Sequence, residues 1–139
     1  MKIGCIYTVD TYFEVDKPFS AATEIPFGIS IIITVLQQHG HDVELFVITP
    51  DTDLENTISK FVLDQNPQLF CYTAVTTQYW QVKNVANHIK NLNHEIFHIL
   101  GGHHASLDSE EVMKEGVFDA ICVGEGENAI VELANNIEN

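Results

Sequence analysis

Five short apolar runs, each followed by a stretch of helical periodicity, constrain this chain more than any other feature. The runs span residues 2–8, 42–48, 68–73, 96–100 and 119–123. They are rich in β-branched and aromatic residues and show little polar alternation. That is the pattern of parallel strands covered on both faces. Between them, Ile29, Ile32, Ile33 and Leu36 recur at i, i+3, i+4 and i+7. Val82, Val85, Ala86 and Ile89 repeat that spacing, as do Ile130, Leu133, Ala134 and Ile137. Leu54, Ile58, Phe61 and Val62 make a fourth apolar stripe, and a shorter helix is expected over 109–115. Strand–helix alternation with right-handed crossovers winds into a doubly wound sheet. The expected fold class is therefore α/β: a flavodoxin-like, five-stranded parallel sheet of order 2-1-3-4-5. Its switch point falls between the first and third strands. Pro26 suits the first turn of the first helix, and Gly40 suits a left-handed cap at its end.

The turns that follow the strands carry the functional signal. Thr73-Ala74-Val75-Thr76-Thr77, Gly101-Gly102-His103-His104 and Gly124-Glu125-Gly126-Glu127 close the third, fourth and fifth runs. All three fall on the carboxyl edge of the sheet, where open α/β folds bind ligands. The threonine hydroxyls suit a phosphate or a polar cofactor rim, or Thr76 or Thr77 simply caps the next helix. Gly101-Gly102 leaves room for a flat ligand against bare backbone, or else serves a turn of positive φ. Gly124 and Gly126 admit the same two readings. The segment 9–25, with Asp10 near its start, is too long for an ordinary strand–helix loop and lies beside the switch point.

Composition removes several classes of function. Twenty acids against six bases give a formal net charge of −14, with no basic cluster for nucleic acid. No apolar run reaches the roughly 18 residues that a membrane span needs, and the start reads directly into a strand rather than a signal peptide. Cys5, Cys71 and Cys122 lie far apart inside apolar runs, as small buried hydrophobes in a reducing, cytoplasmic compartment. His103 and His104, adjacent on extended backbone, point apart and do not share an ion, so no metal site is expected. His39 and His41 read as exposed residues beside Gly40, and His88, His94 and His98 have no visible partner. Neither GxGxxG nor GxxxxGK[ST] occurs, and no nucleophile elbow is recognisable. Nothing marks the chain alone as a catalyst.

Taken in order, these turns resemble the N-terminal cobalamin (B12)-binding domain of B12-dependent radical SAM enzymes. The resemblance covers nearly all of residues 1–139. It rests on Pro26-Phe27-Gly28, Gly40-His41-Asp42-Val43, Thr73 to Thr77, Leu100 to Ser106, and Asp119 to Glu127. It implies that the cobalamin tail lies beside strands three to five with the corrin ring over the strand ends. Thr73, Val75, Thr76 and Thr77 would line the tail. Gly101 and Gly102 would flank its path, with His103 near the rim. Gly124, Glu125 and Gly126 would close the other side, and Asp10 would lie in the loop after the first strand. The DxHxxG motif that supplies a cobalt-ligating His is absent, since Asp10 is followed by Thr11 and Tyr12. The CxxxCxxC motif for a [4Fe–4S] cluster is absent too.

The resemblance thus implies a cobalamin-binding module, a fragment of a longer protein. It would present B12 to a radical SAM catalytic domain in cis, where [4Fe–4S] and S-adenosylmethionine would act in methyl transfer or related radical chemistry. Two alternatives stay open. One is a docking or structural domain that keeps the fold without the ligand. The other is a flavin or nucleotide binder of the same strand order.

Overall fold

The computed structural model describes residues 1–9 and 26–139. Five parallel strands are ordered β2-β1-β3-β4-β5, as the alternation implies. They are β1 (Lys2–Thr8), β2 (Asp42–Ile48), β3 (Leu69–Thr73), β4 (Phe97–Gly101) and β5 (Ala120–Ile121). β5 is shorter than expected. Among the described residues it pairs on one side only, although Asp119 N–H and Cys122 N–H still donate to His98 and Leu100 carbonyls at 2.9 and 2.8 Å.

Helices α1 (Phe27–Gln38) and α6 (Glu127–Glu138) cover one face. There Ile3, Cys5, Leu69, Cys71 and Ile99 meet Ile29, Leu36, Ile130 and Ala134. The opposite face carries α2 (Lys60–Gln65), α3 (Tyr79–Leu92) and α5 (Ser109–Lys114). Ile6, Phe70, Tyr72 and Leu100 fill that side with Phe61, Val82, Val85, Ile89 and Val112. Burial on both faces explains why the central strands read as unbroken apolar runs.

Three local readings are corrected. A one-turn helix, α4 (His103–Leu107), precedes α5, so His103 and His104 begin a helix instead of lying on extended backbone. Five residues are too few to show a helical period. Neither Thr76 nor Thr77 caps α3 through its side chain; both belong to a 3-10 turn, Thr76–Gln78, that runs into the helix. His41 is buried rather than exposed, because the turn between α1 and β2 folds it back, its N–H donating to the Leu36 carbonyl at 3.1 Å and its Nδ1 lying 3.4 Å from the Met1 amine. Gly40, at φ +85°, makes the expected left-handed turn.

Two of the unpartnered histidines do have partners. His88 Nε2 lies 2.8 Å from Ser59 Oγ. His98 is fully buried on the α3 face, stacked against Tyr72, with Nδ1 2.7 Å from the Tyr72 hydroxyl. Both contacts are long-range, so spacing along the chain does not reveal them.

Burial pushes the His98 imidazole down to about 4; Lys90 adds to the shift and Asp119 opposes it. In the unfolded chain the same group titrates near roughly 6.5. The folded protein therefore refuses a proton that the unfolded chain accepts. Stability is full above pH 6.5 and falls as pH drops toward 4, by about 2 kcal/mol between pH 7 and 5. Urea midpoints at the two pH values should show this slope in the wild type and a flatter one in His98→Gln.

Candidate functional site

A trough of about 370 Å³ opens at the carboxyl ends of β3, β4 and β5, on the α1/α6 side of the sheet. Roughly 300–1,000 Å³ is the ordinary range of small-molecule sites. Cys71 and Ile99 form its floor, and Ile29, Ile32 and Ile130 form its walls. Its mouth carries Thr73, His103, Ser106, Glu125 and Glu127. Apolar depth with a polar rim suits a ligand whose inner end is flat and uncharged.

Backbone contacts between the turns fix this shape. Ala74 N–H donates to the Gly101 carbonyl at 3.3 Å, and His104 N–H to the Ala74 carbonyl at 3.1 Å. Ser106 Oγ donates to the Gly102 carbonyl at 3.3 Å and accepts from Gly124 N–H at 3.2 Å. The turns after β3, β4 and β5 are thus tied into one rim. His104 is buried against the Tyr79 ring, with Nδ1 3.3 Å from Thr76 Oγ1. The two adjacent histidines do diverge, as consecutive helical residues must: His103 lines the trough and His104 packs behind the rim.

The glycines of the trough fall into two kinds. Gly102 adopts φ +91°, and a Cβ there would lie 2.8 Å from the Ala74 carbonyl oxygen. Gly126 packs the start of α6 against Cys122 and α1, since its Cβ would sit 3.1 Å from Cys122 Sγ and 3.5 Å from Ile32 Cδ1. Backbone conformation favours glycine at Gly102 and at Gly124, with φ +80°, whereas at Gly126 an added Cβ would press on the Cys122 side chain. Gly28 and Gly101 differ. Neither has a positive φ, nothing lies within 4 Å of a Cβ on Gly28, and only the Tyr72 carbonyl oxygen, at 3.8 Å, lies near one on Gly101. A side chain at either position would project into space that the trough keeps free.

The electrostatics are simple. The Cys71 thiol, hydrogen-bonded to Cys5 and fully buried, is held well above the ordinary thiol range. Burial, helped by the Glu127 charge, raises Cys122 as well. Both thiols stay protonated near neutral pH and behave as apolar lining. Among the described residues, no Lys or Arg borders the trough. Among the described residues, no group of three His, Cys, Asp or Glu side chains is placed to hold a metal ion.

Of the residues singled out from the sequence, Thr73, Gly101, Gly102, His103, Gly124, Glu125 and Gly126 line the trough. Val75, Thr76 and Thr77 do not. They lie exposed on the rim above it, because the chain turns outward through the 3-10 turn. Asp10 falls outside the described residues. Ile29, Ile32, Ile130, Cys71 and Ile99 escaped notice because their spacing marks them only as core. Gly28 was visible within Pro26-Phe27-Gly28 but was not assigned to the site.

Comparison with known proteins points one way. The B12 binding domain family matches residues 20–134. An uncharacterized methyltransferase of Pyrococcus horikoshii is 28% identical over 120 residues, covering 86% of this chain and 26% of that protein. The anaerobic magnesium-protoporphyrin IX monomethyl ester cyclase of Rubrivivax gelatinosus is 26% identical over 115 residues, covering 81% and 21%. The chain thus spans about a quarter of the length of these curated relatives. A cobalamin-binding protein from Desulfitobacterium hafniense shares the fold, with a TM-score of 0.63 at 16% identity over 98% of this chain and 58% of that one.

The two kinds of glycine should separate in denaturation experiments. Gly102→Ala should cost about 1–3 kcal/mol, through positive φ and the clash with Ala74. Gly101→Ala should stay within about 0.5 kcal/mol of wild type. Urea unfolding of the two variants checks the contrast.

Proposed function

Because the chain belongs to the B12-binding domain family, we propose that it seats the nucleotide arm of cobalamin in the trough and presents the cofactor to a radical SAM catalytic domain of the same polypeptide. The observation that carries this reading is the pair Gly28 and Gly101. Both border the trough, and the fold demands glycine at neither. A trough of about 370 Å³ suits a nucleotide-sized arm and leaves a corrin ring to lie across the mouth. The apolar floor of Cys71 and Ile99 suits a flat, uncharged base. The Thr73 hydroxyl and the amides of the glycine turns other than that of Gly124 offer hydrogen bonds to a singly charged phosphodiester. Among the described residues no Lys or Arg borders the trough, so they offer a di- or triphosphate no counter-charge there. That favours cobalamin over a free nucleotide.

In the remaining assignments, His103, Val75, Thr76 and Thr77 face the outer part of the cofactor, and Asp10 is assigned to the same ligand from its place after β1 in the sequence. Bound cobalamin supplies a cobalt centre for methyl transfer or related radical chemistry. This chain's own part is to orient it, to exclude water from the inner arm, and to leave the outer corrin face to the catalytic domain. The names of the two curated relatives, a methyltransferase and a cyclase, and their greater length support such a domain in cis. The [4Fe–4S] cluster and S-adenosylmethionine belong to that domain. Cysteines that are free, two of them buried, fit a reducing cytoplasm.

Titration with hydroxocobalamin or methylcobalamin, followed by absorbance and calorimetry, tests the reading. The wild type should give a spectral shift and a saturable heat. Gly101→Leu should keep the fold and weaken binding at least about tenfold, the equivalent of roughly 1.4 kcal/mol. No signal from the folded wild type would leave a docking domain that retains the fold without the ligand.

A further inference from the structure

The trough changes character over one pleat of the sheet. Odd-numbered residues of β3 and β4 direct their side chains to the α1/α6 face. Cys71 and Thr73 therefore lie on that face about 6–7 Å apart along one strand, and Ile99 and Gly101 do so along the next. At the outer level stand the Thr73 hydroxyl and, around the mouth, His103, Ser106, Glu125 and Glu127. The inner level is different. Cys71 and Ile99 meet Ile29, Ile32, Ile130 and Cys122 there, and among the described residues no side chain of this floor and these walls carries a nitrogen or an oxygen.

The backbone adds nothing polar to the inner level. Cys71 lies in register with Cys5 on one side and Ile99 on the other, and Ile99 with Ala120 beyond. Their N–H and C=O groups are used within the ladders. The Cys71 thiol is engaged with Cys5, and a thiol is a weak hydrogen-bonding group in any case. The backbone of Tyr72 borders the trough, but its side chain turns to the other face, where its hydroxyl meets His98. A polar substituent carried to this depth gives up its water and finds no partner, even when its size fits. A methyl group of the same size gains by leaving water.

On the reading that the trough seats the nucleotide arm, we propose that its floor selects the base of that arm. A cobamide is held when its base presents only hydrogens or alkyl groups to the floor, and is disfavoured when the base carries a hydroxyl, an amine or a carbonyl. Cys71 and Ile99 are then specificity-determining residues, whereas the outer level, at Thr73 and the glycine turns, serves any arm alike. Selection by size would act differently, since a hydroxyl and a methyl group occupy nearly the same volume.

The test uses two cobamides whose benzimidazole base carries a single methyl group in one and a hydroxyl at the same position in the other. Each is titrated into the full chain and followed by calorimetry and absorbance. The wild type should bind the methyl form about ten- to a hundredfold more tightly, the span open to an apolar pocket that meets an added hydroxyl. Ile99→Thr and Cys71→Ser each place a hydroxyl on the floor. Both should narrow the ratio several-fold with far-ultraviolet circular dichroism unchanged. The wild-type ratio stands as a test even where a variant fails to fold. Equal affinity for the two cobamides would overturn the selection and leave the seating of cobalamin intact. So would a ratio unchanged in both folded variants. Binding of neither cobamide would overturn the seating, and the selection with it.

Discussion

There is no room for a Cβ at position 102, and the trough owes its form to that. The positive φ of Gly102 lets the chain leave β4 at an angle that brings His104 N–H onto the Ala74 carbonyl. The turns after β3 and β4 then lock together through backbone, and Ser106 extends the tie to the turn after β5. Backbone hydrogen bonds, unlike side-chain packing, hold a rim at fixed width whatever fills it. The rim stays open because Gly28 and Gly101 add nothing to the space it encloses.

The interior of the trough separates this site from the other ligand sites built on parallel sheets. Sites for polyphosphates set glycine-rich amides beside lysine or arginine. Here the amides are present, and among the described residues the cations are not. Two protonated thiols and a ring of isoleucines make the inner wall, while Glu125 and Glu127 stand at the mouth of a strongly acidic chain. Such an arrangement rewards shape and apolar contact in depth. It accepts no more charge than hydroxyls and amides can satisfy.

Strand order, helix stripes and the edge that carries the site were all legible in the sequence, because each rests on a local period or on turn chemistry. The stripe Ile29, Ile32, Ile33 and Leu36 became α1 as read. Side-chain partners across the sheet were not legible. His98 meets Tyr72 only through the pairing of β3 with β4, and His41 is buried only because the turn between α1 and β2 folds it back. The trough was half legible. Its glycines announce themselves, whereas Ile32, Ile130 and Ile99 look the same whether they face a ligand or a core. Thr76 and Thr77, conspicuous in sequence, turn outward with the 3-10 turn.

The two faces of the sheet are not equally finished. On the α3 side the rings of Phe61, Phe70, Tyr72, His98 and Phe118 form one chain of edge-to-face and stacked contacts. On the other side, the first turns of α1 and α6 and the carboxyl ends of β3, β4 and β5 enclose the open trough. A molecule seated between them completes a layer of interior that the polypeptide leaves unbuilt. Its occupancy would then be felt as rigidity, with the two helices fastening to the sheet only as tightly as their guest is held.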